Sequence, residues 1–310
     1  MKPRRRGGGR VIALTAARRR AVEKRRAAAR RRTEPGPRVR AVSGSGNSID
    51  FHLASAIAAA RAGGRVLLDF FGRRASMTVR EKGPSDYVTV ADRTAEDAVV
   101  RLLRERFPEH AIIAEESSPG AGSPGYRWYV DPLDGTTNFI HGFPMFAVSI
   151  ALADAQGMRV GVVFDPVREE LFTAARGQGA FLNGAPIRVA RPGRLAQALV
   201  VTGIPFRSVD RLDQYLASFR AFIGQSSGIR RDGSAALDLA YVACGRYDGF
   251  WEMGLSSWDV AAGSLLVNEA GGVATDFVGR AGYVESGDIV AASPDVHPAM
   301  LKIVRDAYGR

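Results

Sequence analysis

The segment YRWYVDPLDGTT, residues 126–137, constrains this chain more than any other. Tyr126-Arg127-Trp128-Tyr129-Val130 reads as a strand heading into a core, and Asp131 and Asp134 then flank a Pro-Leu pair. Gly135-Thr136-Thr137 follows at once. Two carboxylates at the end of a buried strand are costly unless something neutralises them. Any fold built on this strand must therefore bring its end to a place made for charge.

The rest of the chain can build such a place. Its 310 residues, 46% of them apolar, suffice for one large domain or two smaller ones. The formal net charge of +11 is not spread evenly. Residues 1–40 hold 16 Lys and Arg against two acids, whereas residues 41–310 hold 27 basic and 30 acidic residues, a net of −3. The basicity belongs to the start of the chain and does not mark the body as a nucleic-acid binder. The single cysteine, Cys244, excludes an internal disulfide and suits a reducing compartment. No apolar run reaches the roughly 18 residues of a membrane span, and VIALTAA near the start is too short for a secretory signal. The expected location is the cytoplasm.

Three regions are expected. Residues 1–46 read as a basic, disordered tail, because RRRGGGR and ARRRAVEKRRAAARRR offer no apolar stripe to pack. That tail is a dispensable extension from an early start, a nonspecific contact with nucleic acid or another acidic surface, or a targeting segment. Residues 47–191 form an N-terminal α+β half. Its periodicity predicts a helix from about Ser48, a second helix with Asp92 near its start and Pro108 past its end, and short strands at AIIAEES and RWYVDPLDG. An antiparallel meander then runs through 146–153, 158–164, 170–175, 180–182 and 186–189, with Asn183-Gly184 as a hairpin turn. Residues 192–310 alternate strands and helices, an α/β half. Helices are expected over Val209–Ile223, SAALDLAYVACG, SSWDVAAGSLLVNEAGG and a last segment with Ser293 as N-cap and Pro294 at its first position.

Glu115, Asp131 and Asp134 fall at strand ends, and Asp259 falls in the first turn of a predicted helix. Brought together, four carboxylates repel, and at low effective dielectric each like-charged pair costs several kcal/mol. Protons or cations must relieve them. Oxygen donors without His or Cys favour a hard ion such as Mg²⁺ or Mn²⁺. If Gly135-Thr136-Thr137 opens a helix, its free N–H groups suit a phosphate. Metal beside such a terminus fits phosphoryl transfer to water, one ion acidifying the water and another steadying the leaving oxygen. Each residue taken singly has a plainer reading. Asp92, Asp134 and Asp259 could cap turns or helices, Glu115-Glu116 and Glu252 could be solvated loop acids, and Cys244 and Trp258 are core packing. His52, His110, His141 and His297 show no ligand spacing.

The segments AEES (114–117), DPLDGTTNF (131–139) and WDVAAGSLLVNEAGG (258–272) resemble, in order and separation, the signatures of the inositol monophosphatase family. GVVFDPVREELFTAARGQGAFLNG and RRDGSAALDLAYVACGRYDGFWE extend the likeness over roughly residues 50 to 305, and they look most like its bacterial inositol-1-monophosphatase branch. The resemblance implies a layered αβαβα sandwich, often dimeric, and inhibition by Li⁺. It implies two or three Mg²⁺ held by Glu115, Asp131, the Leu133 carbonyl, Asp134 and Asp259. Thr136 would position the attacking water, Asp92 would polarise the Thr136 hydroxyl, and Glu115 would orient the water. The Gly135 and Thr136 amides would hold phosphate, while Asp134, Gly233, Ser234 and Glu252 would meet the alcohol. Lys82 would sit in a mobile loop.

The expected activity is Mg²⁺-dependent hydrolysis of myo-inositol monophosphate or a similar small polyol phosphate, by a homodimer that avoids membranes. Sister phosphatases acting on histidinol phosphate, fructose 1,6-bisphosphate or 3′-phosphoadenosine 5′-phosphate share the same acids. An RNA- or transcription-complex-binding protein using the basic tail is the alternative from another class.

Overall fold

The computed structural model describes residues 48–73, 79–83, 86–117, 125–206 and 208–309, with only the backbone course given for 79–83 and 86–88. The expected tail, 1–46, lies outside the described residues. All described residues belong to one unit, Gly44–Arg310. In chain order the unit begins with α1 (Ile49–Phe71), β1 (Val79–Gly83), β2 (Asp86–Thr89), α2 (Val90–Arg106), β3 (Ala111–Ala114), β4 (Arg127–Asp134) and α3 (Thr136–His141). The meander is β5 (Ala147–Asp154), β6 (Gly157–Asp165), β7 (Glu170–Ala175), β8 (Gly179–Leu182) and β9 (Ala185–Ile187). Then come β10 (Leu199–Thr202), α4 (Leu212–Gln225), β11 (Gly228–Arg230), α5 (Ala235–Ala243), β12 (Gly249–Glu252) and α6 (Ser257–Glu269). The chain closes with β13 (Val273–Thr275), α7 (Tyr283–Ser286), β14 (Ile289–Ala292) and α8 (His297–Tyr308).

The strands form a seven-stranded sheet in the order β3-β4-β5-β6-β7-β8-β9, a five-stranded sheet in the order β11-β10-β12-β14-β13, and the β1-β2 hairpin. Side-chain alternation then assigns the layers. In the larger sheet, Trp128 and Val130 of β4 join Val148, Ile150, Leu152, Val160 and Val162 in a core with Ala56, Ala60 and Leu67 of α1 and Val99 and Leu103 of α2. Their alternates Tyr129, Ala147, Ala151 and Val163 pack with Leu239 of α5 and Ala262 and Leu266 of α6. The same cluster takes Val201, Phe250 and Ala291 from the smaller sheet. The alternates there, Val200, Trp251, Val290 and Ala292, pack with Tyr215 and Phe222 of α4 and Met300 and Val304 of α8. The order is helix pair, sheet, helix pair, sheet, helix pair, the αβαβα sandwich that the resemblance implies.

The middle layer shows why this follows from sequence. Every residue of α5, Ala235–Ala243, is buried, as is Val260–Val267 of α6. A helix apolar on all sides needs cover on all sides, and two sheets provide it.

Some boundaries differ from expectation. The last helix begins at His297, not at Ser293: the Val296 and His297 amides donate to the Ser293 carbonyl at 3.2 and 3.0 Å, closing a turn first. Of the two prolines, the second, Pro298, occupies the helix start, where its missing N–H costs nothing. The expected Val209–Ile223 helix opens as a 3₁₀ turn, Val209–Arg211, before α4. Lys82 lies on a strand rather than in a loop, because Val79–Gly83 pairs antiparallel with Asp86–Thr89 across a two-residue gap, a hairpin spacing. β11 and α7, three and four residues long, are too short to show a period.

Candidate active site

Asp131 and Asp134 are three residues apart, and in a regular strand such residues face opposite sides of a sheet. The structure avoids this. β4 runs through both acids, and its pairing with β5 slips between them: Asp131 opposes Ser149, whereas Asp134 opposes Ala147. Three residues along β4 thus match two along β5. This one-residue bulge turns Asp134 back to the side of Asp131, and Pro132 within it has no N–H to leave unpaired. The Leu133 amide donates to Asp131 Oδ1 at 2.9 Å, which ties the bulge to the first acid.

Asp259 reaches the same place from the middle helix layer. It is the third helical residue of α6 in a capping box, its Oδ2 accepting from the Ser256 amide at 2.8 Å. One carboxylate oxygen each from Asp131, Asp134 and Asp259 lie within 4.8 Å of one another. Glu115 stands outside this tight trio but lines the same cleft. The Glu115 amide donates to the Val130 carbonyl at 3.2 Å, continuing the β3-β4 ladder to the site. Next to it, the Glu116 amide donates to Oε2 of Glu96 at 2.8 Å. Glu96 is buried on α2, one turn beyond Asp92, and burial raises its carboxyl above the ordinary range. The sequence reading missed Glu96. The signal was present as two acids four residues apart on the inner face of an amphipathic helix. Glu96→Ala should loosen the turn that carries Glu115; a Mg²⁺ titration of activity is expected to show a half-saturating concentration raised several-fold, with melting lowered by about 1–3 kcal/mol.

Asp92 satisfies two readings at once. Its Oδ2 accepts from the Thr89 amide and hydroxyl at 2.8 and 2.6 Å in a capping box that starts α2. Its Oδ1 lies 3.2 Å from the Thr136 hydroxyl. That hydroxyl is also 3.1 Å from the Leu133 carbonyl oxygen. With one proton to donate, it serves one acceptor at a time. Gly135, at φ 93°, caps the start of α3, and a Cβ there would come within 2.9 Å of the Met145 carbonyl oxygen. Only glycine fits that conformation and that space.

The other end of the cleft is lined by Gly203, Phe206, Arg231, Gly233, Ser234 and Glu252, among others. Asp134 links the two ends: its Oδ2 accepts from the Ser234 hydroxyl at 2.5 Å and the Ala236 amide at 2.8 Å, at the start of α5. Asn138 fastens the loops beneath, its Nδ2 donating at 2.8 Å to the carbonyls of Met145 and Asp232. The Arg231 guanidinium lies 5.4 Å from the centre of the Phe206 ring. Asn138, Arg231, Phe206 and Gly203 were not singled out from sequence. The side chain of Lys82 lies outside the described residues.

Charge in the cleft follows from burial. Burial, then the carboxylates of Glu115, Asp134 and Asp259, push Asp131 well above the usual carboxylate range. Burial, then Asp259, raise Asp134 to about 7 against the pull of its hydrogen bonds from Ser234 and Ala236. Burial raises Asp92 too, opposed by its bonds from Thr89. Carboxylates that repel this strongly, with no cysteine or histidine among the described residues that line the cleft, suit a hard divalent cation.

The residues read as packing behave as packing. His52 and His110 sit in an aromatic cluster with Phe107, Tyr126 and Trp128. Cys244 and Trp258 pack partly buried against the middle core, and the Trp258 carbonyl accepts from the Ser149 hydroxyl at 3.2 Å.

An αβαβα sandwich with a carboxylate-rich cleft where both sheets meet the middle helices defines a class of layered, metal-competent proteins. Within that class, residues 50–308 match the model of the inositol monophosphatase family, and the chain belongs to that family. Nus factor SuhB of Pseudomonas aeruginosa is 51% identical over 255 residues, 81% of this chain and 94% of that protein. Among solved structures, extragenic suppressor protein suhB of Bartonella henselae superposes with a TM-score of 0.79 at 42% identity, over 82% of this chain and 98% of that one. The inositol monophosphatase of Anabaena (Nostoc) sp. PCC 7120 gives 0.75 at 39% identity, over 82% and 95%.

Proposed function

We propose that the chain is a Mg²⁺-dependent phosphomonoesterase acting on myo-inositol monophosphate or a similar small polyol phosphate. The observation that carries this reading is the trio of carboxylate oxygens within 4.8 Å beside a hydroxyl held by a buried acid. Glu115, Asp131, the Leu133 carbonyl, Asp134 and Asp259 would hold two or three divalent ions. Bound there, the ions would lower the pKa of the attacking water and stabilise the leaving oxygen. The remaining work falls to the chain. With the Leu133 carbonyl holding an ion, the Thr136 hydroxyl would donate its hydrogen bond to Asp92. The hydroxyl oxygen is then left as an acceptor that orients the water. Glu115, which lines the same cleft, would orient that water. The Gly135 and Thr136 amides hold the phosphoryl oxygens. Ser234, Gly233, Glu252 and the Ser234-bonded edge of Asp134 face the alcohol.

A panel of myo-inositol 1-phosphate, histidinol phosphate, fructose 1,6-bisphosphate and 3′-phosphoadenosine 5′-phosphate at fixed Mg²⁺ tests the reading. The highest kcat/KM is expected on inositol monophosphate. A clear preference for another member replaces the substrate but not the chemistry, and no hydrolysis of any ends both. A homodimer, Li⁺ inhibition and a cytoplasmic location belong to the same reading. Among the described residues, no helix is long and apolar enough to cross a membrane.

A second reading, that the chain also contacts RNA or a transcription complex, is favoured by the Nus factor name of its relative and by the arginine-rich first forty residues. Deleting residues 1–46 is expected to leave kcat intact and to abolish any salt-sensitive RNA binding. Binding that survives the deletion places the contact elsewhere.

A further inference from the structure

β10 and β12 run parallel, and their last paired residues are Thr202 and Trp251. The next residue on each strand, Gly203 and Glu252, enters the cleft at the carboxyl ends of the strands, where open α/β sheets bind ligands. There the Glu252 carboxylate occupies the space a side chain at 203 would need. A Cβ on Gly203 would lie inside 3.0 Å of Cδ and both oxygens of Glu252. The Thr202 hydroxyl, donating to the Gly203 carbonyl at 3.0 Å, fixes the backbone at this point.

We infer that Gly203 is a specificity-determining position: by lacking a side chain, it sets where the Glu252 carboxylate stands and so which alcohol the cleft accepts. The inference rests on the phosphomonoesterase reading and deepens it. Gly203 is a positioning residue, since it acts through Glu252. The obstructing atoms are the far end of a flexible side chain, not backbone. An added methyl therefore displaces the carboxylate and leaves the sheet in place. What is lost is the fit to a hydroxylated alcohol, while a phosphate ester whose alcohol half offers no hydroxyls has little to lose.

The test compares wild type, Gly203→Ala, Glu252→Asp and the double variant on myo-inositol 1-phosphate and p-nitrophenyl phosphate, with a Mg²⁺ titration of each. For Gly203→Ala the ratio of kcat/KM, inositol phosphate over the aryl ester, is expected to fall about tenfold, the loss of a hydrogen bond to a charged group. KM should carry the change and the Mg²⁺ midpoint should not move. The acid shortened by one methylene clears the alanine, so the double variant is expected to recover much of what Gly203→Ala loses. Equal losses on both substrates, or a double variant worse than either single, overturn the inference while wild-type activity keeps the parent reading alive. Wild type inactive on both esters overturns the parent reading and this inference with it. If Gly203→Ala does not fold, the double variant must fold and favour the inositol ester over Glu252→Asp alone; its failure to do so also overturns the inference.

Discussion

Asp131→Asn is expected to reduce turnover at saturating Mg²⁺ by at least about a thousandfold, since cation polarisation is worth several kcal/mol and each 1.36 kcal/mol is a factor of ten. The fold should survive. Asparagine keeps an oxygen for the Leu133 amide that now bonds Asp131 Oδ1, and it removes one charge from a buried, mutually repelling set. The metal-free variant should therefore melt at or above the wild-type temperature at pH 7–8, while Mg²⁺ should raise its melting point less than it raises that of wild type. Circular dichroism melts with and without Mg²⁺, beside steady-state rates, check all three. A variant that keeps most of its activity removes Asp131 from the metal site. One that melts far below wild type without metal shows a structural acid instead.

The second large effect is on pH. In the folded protein Asp134 is raised from its ordinary 3.8 to about 7, and Asp131 is raised as well. Over the window from about 4 to about 7, the native state thus holds protons that the unfolded chain has already lost. The contribution of these two acids to stability without metal therefore falls as pH rises through that window, the reverse of a salt-bridged acid, while His52, lowered to about 4 by burial and then by Arg159, contributes in the opposite sense. A cation must displace those protons, so the Mg²⁺ concentration for half-maximal activity should drop by up to about tenfold per pH unit below 7 and level off above it. Thermal melts in EDTA from pH 4.5 to 8, and Mg²⁺ titrations over pH 6 to 8, read the two signs. A metal-free wild-type melting point that does not fall with pH relative to that of Asp134→Asn across the window overturns the placement of these acids in a shared buried site.

Much of this was legible from residues alone. The Asn183-Gly184 turn and alternating apolar runs gave the meander, and the largely apolar stretches Ala235–Ala243, interrupted by Asp238, and Val260–Val267, interrupted by Ser264, match the covered middle layer. The acids stood out because charge at the end of a core strand has few innocent explanations. Their convergence was not legible. A strand period sends Asp131 and Asp134 apart, and only the bulge opposite Ser149 and Ala147 reunites them. Pro132 hinted at an irregularity but could not fix its size. Asp92 and Asp259 look like ordinary capping acids in sequence, and in the structure each does cap its helix, while Asp259 also lines the cleft and Asp92 reaches the Thr136 hydroxyl from beneath it. Glu96, Asn138 and Gly203 act through other residues, and such second-hand roles leave a trace only once neighbours in space are known. The last helix was misplaced because two prolines four residues apart both suit a helix start.

Asp259 hangs from a helix wedged between two sheets, and its partners Asp131 and Asp134 hang from one of those sheets. The three acids therefore meet only after the middle helices have docked on the larger sheet. A divalent cation held there would act as a latch rather than a seed: unfolding is expected to slow with added Mg²⁺, while the folding rate, set before the latch can engage, stays where the bare chain has it.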